Sequence, residues 1–314
     1  MAILKHIAIK NKSYWSAYKY LTFEHDEFKM IPILDEFGQK IPRTNMLIDS
    51  INCFGPKTFA AECVMTNKLY NQNSLPKDIK AHHYIISFDP KDMTENNLTV
   101  SMAQSMVLSF AQKNFPGHQV LVATHSDGHN NSGNIHSHIV LNSVRKLDVD
   151  RCEFTERDTD LLAGKKHHVS DKFLAYLKKD LMDMCIANKL NQIDILSPSK
   201  VKVSEREYHL CKRQILSGNT SFRSSKDLLR EKLHNTLMKT KSFKQYRDNL
   251  FNDYGIICNV ANEHLIYELP DGKKSIYAKS LGSDYDFDNV TTQVAINNKF
   301  TPAKIVHYNT PTII

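Results

Sequence analysis

The chain has 314 residues, enough for one large domain or two with a substantial core, and its formal charge is +7. That balance suits a polyanionic partner without establishing one. No apolar run approaches the roughly 20 residues of a membrane span, the charge-punctuated N-terminus is no signal peptide, and six scattered cysteines without C-x-x-C spacing argue against a zinc ribbon or a disulfide framework. A cytoplasmic protein is expected.

In chain order, residues 3–10 read as a first strand, and Ser13 opens a short helix that carries Tyr14, Tyr18 and Tyr20. Tyr14 and Tyr18 share a helix face at i, i+4, while Tyr20 points elsewhere. Residues 23–50, with Pro32, Pro42 and Gly38, read as a loop or irregular hairpin. A turn at 51–56 leads into a helix with Phe59, Cys63 and Leu69 roughly periodic. Residues 80–88 form a strand broken by Asp89-Pro90. A helix then runs from Thr94 to about Phe115 on the stripe Leu98, Met102, Met106 and Phe110.

Two strands follow, 118–125 and 135–141, separated by the turn formers of 128–133. A helix over 170–188, capped by Ser170 or Asp171, presents Phe173, Leu174, Leu177, Leu181 and Met184. Residues 197–200 look like a linker. Beyond it come helices near 224–240 and 242–253, the second ended by Gly255. Strands at 256–267 and 275–279 are joined at Pro270-Asp271-Gly272. The expectation is an α+β fold with two parts. Residues 1–200 form a mainly antiparallel sheet with helices on one face and the other face open. Residues 201–314 are a small basic appendage of helices and a hairpin.

The chemistry gathers between Thr124 and Asn142. His136 and His138 sit two apart on a strand and so point the same way. His125 ends the preceding strand, and in an antiparallel pair all three imidazoles converge at the sheet surface, as a divalent transition metal requires. Asp127 is an acid near enough to orient one of them, or a solvated turn residue. His129, inside the turn, is a lesser candidate. A lone histidine is more often a surface or satisfied core residue; the pair with a third at a strand end is what singles this group out.

On these residues the chain resembles the MobA-type (MOB-P) relaxases of the HUH endonuclease superfamily. The His-x-His signature is His136-Ser137-His138, with serine in the middle place. Weaker likenesses occur in the family's order: Tyr18-Lys19-Tyr20-Leu21, Asn52-Cys53, the strand from His83 to Phe88, and Lys279-Ser280-Leu281-Gly282. The insert after Asp127 resembles a subgroup associated with conjugative transposons.

The resemblance implies the HUH relaxase fold over residues 1–200 and a DNA-contacting role for residues 201–314. It implies that His125, His136 and His138 hold Mn²⁺ or Mg²⁺, which polarises the scissile phosphate. The imidazole ligands favour Mn²⁺, since Mg²⁺ prefers oxygen. It carries the nucleophile onto Tyr20, with Tyr18 as fallback, and makes Asp127 a ligand-orienting group or proton acceptor. Ser87, Arg145 and Lys146 become candidate DNA contacts. The implied substrate is origin-of-transfer DNA, single-stranded at the nick beside a hairpin or duplex. An accessory relaxosome DNA-binding protein and the coupling protein of a type IV secretion system are the implied partners, with the protein transferred along with the strand. A rolling-circle replication initiator, a DNA-binding module with a structural metal, and a hydrolase using metal-activated water are the rival readings.

Overall fold

The computed structural model of the chain describes residues 2–10, 13–26, 31–127, 133–270, 272 and 275–299. They fall into two compact units, Met1–Leu196 and Ser197–Ile314. His129 and most of the turn around it lie outside the described residues, as does Asp271.

In the first unit five strands form one sheet. From edge to edge they are β1 (Ile3–Ile9), β3 (Ala81–Ser87), β5 (His136–Arg145), β4 (His118–His125) and β2 (Met46–Ile51), every neighbouring pair antiparallel. This is the α+β antiparallel architecture expected. β4 and β5 are buried at every position. β2 falls in a stretch read as loop. Its Asp49 and Ser50 interrupt the apolar pattern, and it becomes a strand by pairing with β4, a tertiary effect that local propensity does not carry. Ahead of it, bridges between Phe23 and Pro42 and between Leu34 and Lys40 close an irregular hairpin.

α4 (Val100–Asn114) and α5 (Asp171–Ala187) cover one face of the sheet, packing Val107, Phe110, Leu177 and Leu181 with Tyr84, Val120, Val122, Ile139 and Leu141. α1 (Tyr14–Thr22) and α2 (Phe59–Leu69) lie on the other face, where Tyr14, Leu21, Phe59 and Cys63 meet Leu121, Ala123 and Val140. That face is therefore partly covered rather than open. The cause is legible in β4, whose residues are apolar in both directions and must be shielded on both sides. The helix expected from Thr94 is two helices. α3 (Pro90–Glu95) is capped by Asp89, Asn97 turns left-handed at φ 54°, and α4 starts after the Thr99 cap.

The second unit has its own core. Leu229 and Leu233 of α7 (Ser225–Leu237) and Tyr246 and Leu250 of α8 (Phe243–Tyr254) pack with Leu265, Tyr267 and Leu281. Its sheet is β6 (Ile257–Ala261), β7 (His264–Glu268) and β8 (Ser275–Tyr277) in that order. The span read as one strand over 256–267 is itself a hairpin. Asn262 and Glu263 both take positive φ, 49° and 63°, the backbone of a tight two-residue turn. α6 (Glu205–Leu216) and α9 (Phe287–Lys299) complete the unit. A buried ion pair joins Glu207 to Arg230 at 2.8 Å, and Ser224 donates to the same carboxylate. Gly282 stands at φ 132° where a side chain would collide with the Lys200 carbonyl, a steric reason for glycine in the Lys279–Gly282 motif. Among the described residues no helix is long and apolar enough to cross a membrane.

Candidate metal centre

The sheet register makes the histidine group. His125 at the end of β4 lies directly opposite His136 at the start of β5, and His138 follows two residues on along the same face. The three ring centroids form a near-equilateral triangle with sides of 5.2, 5.1 and 5.0 Å. All three residues are buried, and one nitrogen from each lies within 4.8 Å of the other two.

Hydrogen bonds decide which nitrogens those are. His125 Nε2 donates to the Leu21 carbonyl at 3.0 Å, so its Nδ1 carries a lone pair, and that atom is buried without a partner among the described residues. His136 Nδ1 donates to the Asn134 carbonyl at 3.4 Å, which makes Nε2 its lone-pair nitrogen. His138 Nδ1 shares a hydrogen with His83 Nε2 at 2.8 Å; with the proton on His138 Nδ1, its Nε2 carries the lone pair. This is the usual support of metal-binding imidazoles, in which the far nitrogen is tied back and the near one is basic. A buried orphan nitrogen and three imidazoles in one place fit a borderline divalent cation.

Burial, foremost, holds His138 well below the ordinary histidine range and His125 down at about 4; neighbouring histidines and the Arg43 guanidinium add to both. Those two rings are therefore neutral at pH 7 and need lose no proton to take a cation.

The three tyrosines of α1 have separate surroundings. Tyr14 is core. Its single hydroxyl hydrogen is shared between Asn142 Oδ1 at 2.7 Å and the Lys80 carbonyl, and its oxygen accepts from Asn67 Nδ2 at 2.9 Å. Tyr20 stands edge-on to His138 with ring centroids 6.0 Å apart, and 5.4 Å from His25. Tyr18 packs against the α1–α2 core and has no ring contact with the histidines among the described contacts. His25 Nδ1 donates to the Phe23 carbonyl at 2.7 Å, so its Nε2 keeps a lone pair.

Asp127 does not hydrogen-bond a ligand histidine. Its carboxylate is paired with Arg43, whose Nε also donates to the Phe23 carbonyl at 3.1 Å. The orienting contact on His125 comes instead from the Leu21 carbonyl at the end of α1. Ser87 lies opposite His136 on β3. Arg145 and Lys146 are far from the triad, at the other end of β5. Arg145 is buried, with its donors on the carbonyls of Pro116 and Asp160, while Lys146 Nζ donates to the Asn52 carbonyl at 2.8 Å. Both tie loops together there, and nothing brings them towards the histidines.

Sequence reasoning missed Arg43, His83 and His25. His83 had a signal, since it shares strand parity with Ser87 and so faces the same side. Arg43 had none; it follows Pro42 in a loop, and only folding carries it to the triad.

An antiparallel α+β sheet with a three-imidazole centre and a tyrosine-bearing helix beside it defines the class. Residues 6–160 match the family described as "Relaxase: MobA/VirD2-like, nuclease domain". Protein rlx of Staphylococcus aureus is 26% identical over 221 residues, which cover 70% of this chain and 59% of that protein. A second Protein rlx from the same species is 26% identical over 207 residues, covering 66% and 52%. The chain thus spans little more than half the length of these relatives. It belongs to the MobA-type relaxases, and the matched nuclease domain lies within the first unit.

Proposed function

We propose that the chain is a site- and strand-specific DNA relaxase that nicks the origin of transfer of a mobile element. The observation that carries this is Tyr20 standing against His138 in a triad whose three rings each bring one nitrogen within 4.8 Å of the other two. Tyr20 Oη attacks the scissile phosphorus, the P–O3′ bond breaks, and the products are a 5′-phosphotyrosyl link and a free 3′-OH; the reverse step religates the strand. Mn²⁺ or Mg²⁺ held by His125, His136 and His138 would supply Lewis-acid withdrawal of charge from the phosphate.

The other groups divide the remaining work. The phenol proton goes to His25 Nε2 rather than to Asp127, because Arg43 already holds the Asp127 carboxylate. Arg43, fixed beside the triad, offsets negative charge developing on the phosphate oxygens. Ser87, opposite His136, is a contact for the strand near the nick. The second unit serves as a DNA-contacting subdomain. The protein acts in the bacterial cytoplasm with an accessory relaxosome protein and the coupling protein of a type IV secretion system, and travels with the strand.

The test is a denaturing gel of the protein incubated with labelled single-stranded origin DNA and Mn²⁺. The wild type is expected to give a DNA-shifted protein band that Tyr20→Phe abolishes and Tyr18→Phe retains. A band surviving in Tyr20→Phe would move the nucleophile, and cleavage without any adduct would replace the mechanism with water hydrolysis.

A further inference from the structure

A second histidine-rich region lies on the α4–α5 side of the sheet, at the end remote from the triad. From His136 to Ser143 is roughly 20 Å along β5. Here a cavity of about 330 Å³ is lined by Lys10, Lys77, Lys166, Ser143, His82 and His167, with Asp78 the one carboxylate. Asp78 is already engaged, accepting from Lys166 Nζ at 3.0 Å and from the Leu75 amide at 2.9 Å. Lys10 and Lys77 make no ion pair among the described residues. Three ammonium groups against one paired carboxylate leave an excess of two positive charges.

The neutral donors are arranged to add to it. His82 Nδ1 is bonded to His6 Nε2 at 2.9 Å, and His167 Nε2 to the Tyr84 hydroxyl at 3.0 Å. When His6 and Tyr84 donate in those two bonds, His82 keeps its proton on Nε2 and His167 on Nδ1. Neither of these nitrogens has another partner among the described residues. Ser143 Oγ accepts from Asn73 at 3.0 Å, which leaves its own hydrogen to donate. Hydroxyl, two imidazole N–H groups and lysines form a donor-rich lining beside the one engaged carboxylate, which suits an oxyanion with several acceptor oxygens. Among the described residues this second group does not meet the spacing of a metal centre.

We propose that this cavity is a phosphate-binding site, separate from the metal centre, held by Lys10, Lys77 and Lys166 with Ser143, His82 and His167. Its occupant is a phosphate group, either of a DNA backbone or of a free nucleotide or inorganic phosphate. The proposal does not depend on the nuclease reading.

It is tested by calorimetric titration of inorganic phosphate, and by anisotropy of a labelled single-stranded oligonucleotide, on the full chain without added metal. The variants are Lys10→Gln/Lys77→Gln and, as a control elsewhere, Lys178→Gln/Lys179→Gln on α5. The cavity pair is expected to weaken phosphate or oligonucleotide binding at least tenfold, with an unchanged thermal midpoint, while the control pair does not. If DNA supplies the phosphate, oligonucleotide affinity falls and its log–log salt slope becomes shallower by about 1. If only inorganic phosphate binding falls, the ligand is a free phosphate. Binding of both ligands unchanged in the cavity pair, no binding of either to the wild type, or equal losses in the control pair would overturn the proposal. His136→Ala is expected to leave phosphate binding intact while removing the DNA adduct, so the two readings fail separately.

Discussion

Two groups of buried and half-buried histidines lie against one sheet, on opposite faces and at opposite ends, and they differ in chemistry. His125, His136 and His138 each tie one nitrogen to the protein and turn the other to a common point. His6, His82, His118 and His167 instead interlock with one another. His6 stacks on His82 with centroids 5.2 Å apart, His167 lies edge-on to His82 at 4.8 Å and to His118 at 5.3 Å, and Tyr84 and the Asn142 carbonyl take further bonds. Histidine number is similar in both. What separates the candidate ligand set from this cluster is the second nitrogen of each ring: in the triad it carries a lone pair turned to one common point, whereas His82 and His167 keep N–H donors there.

The hardest test of that distinction removes one ring from each group. His136→Ala is expected to lower Mn²⁺ affinity by more than about 100-fold, beyond the usual loss when only a supporting partner is removed. His82→Ala should leave Mn²⁺ affinity unchanged and lower the unfolding free energy. Calorimetry and denaturant melts of the two variants check both. Equal loss of metal binding in the two would erase the contrast.

Acid should act on the packed cluster next. Burial holds His82 and His118 at about 3 and His167 well below its ordinary 6.5. These folded pKa values lie below the unfolded value, so the unfolded chain binds more protons between the two. The stability is then intact above pH 6.5 and falls as pH drops from 6.5 towards 3, by about 1.4 kcal/mol per pH unit for each histidine. Urea midpoints across pH 7 to 4 measure it, and His118→Gln should flatten the dependence.

The smallest effect separates the tyrosines. Tyr14→Phe is expected to cost about 1–3 kcal/mol, because it strips the buried Asn142 oxygen and the Lys80 carbonyl of a donor. Adduct formation by the folded variant should persist, in contrast to Tyr20→Phe. Loss of the adduct with stability unchanged would put Tyr14 in the reaction and break the division.

What could be read from the sequence was what local periodicity encodes. The two-residue spacing of His136 and His138, the strand around each, the Ser170 cap of α5 and the apolar stripe of α4 are short-range features, and short-range sterics and burial dictate them. The family likeness, too, rests on the motif around the histidine pair. Features made by pairing or by long chain separation were not legible. β2 is a strand only because β4 is beside it, and α2 covers the second face because β4 is apolar in both directions. Arg43 and Asp127 are 84 residues apart and meet beside the triad through folding alone. The tautomer of each ligand histidine was likewise out of reach, since it is set by the carbonyls of Leu21 and Asn134 and by His83. The sequence by itself determined which imidazoles share a face; only the tertiary structure decided which nitrogen of each keeps its lone pair, because that depends on hydrogen-bond partners brought from other elements.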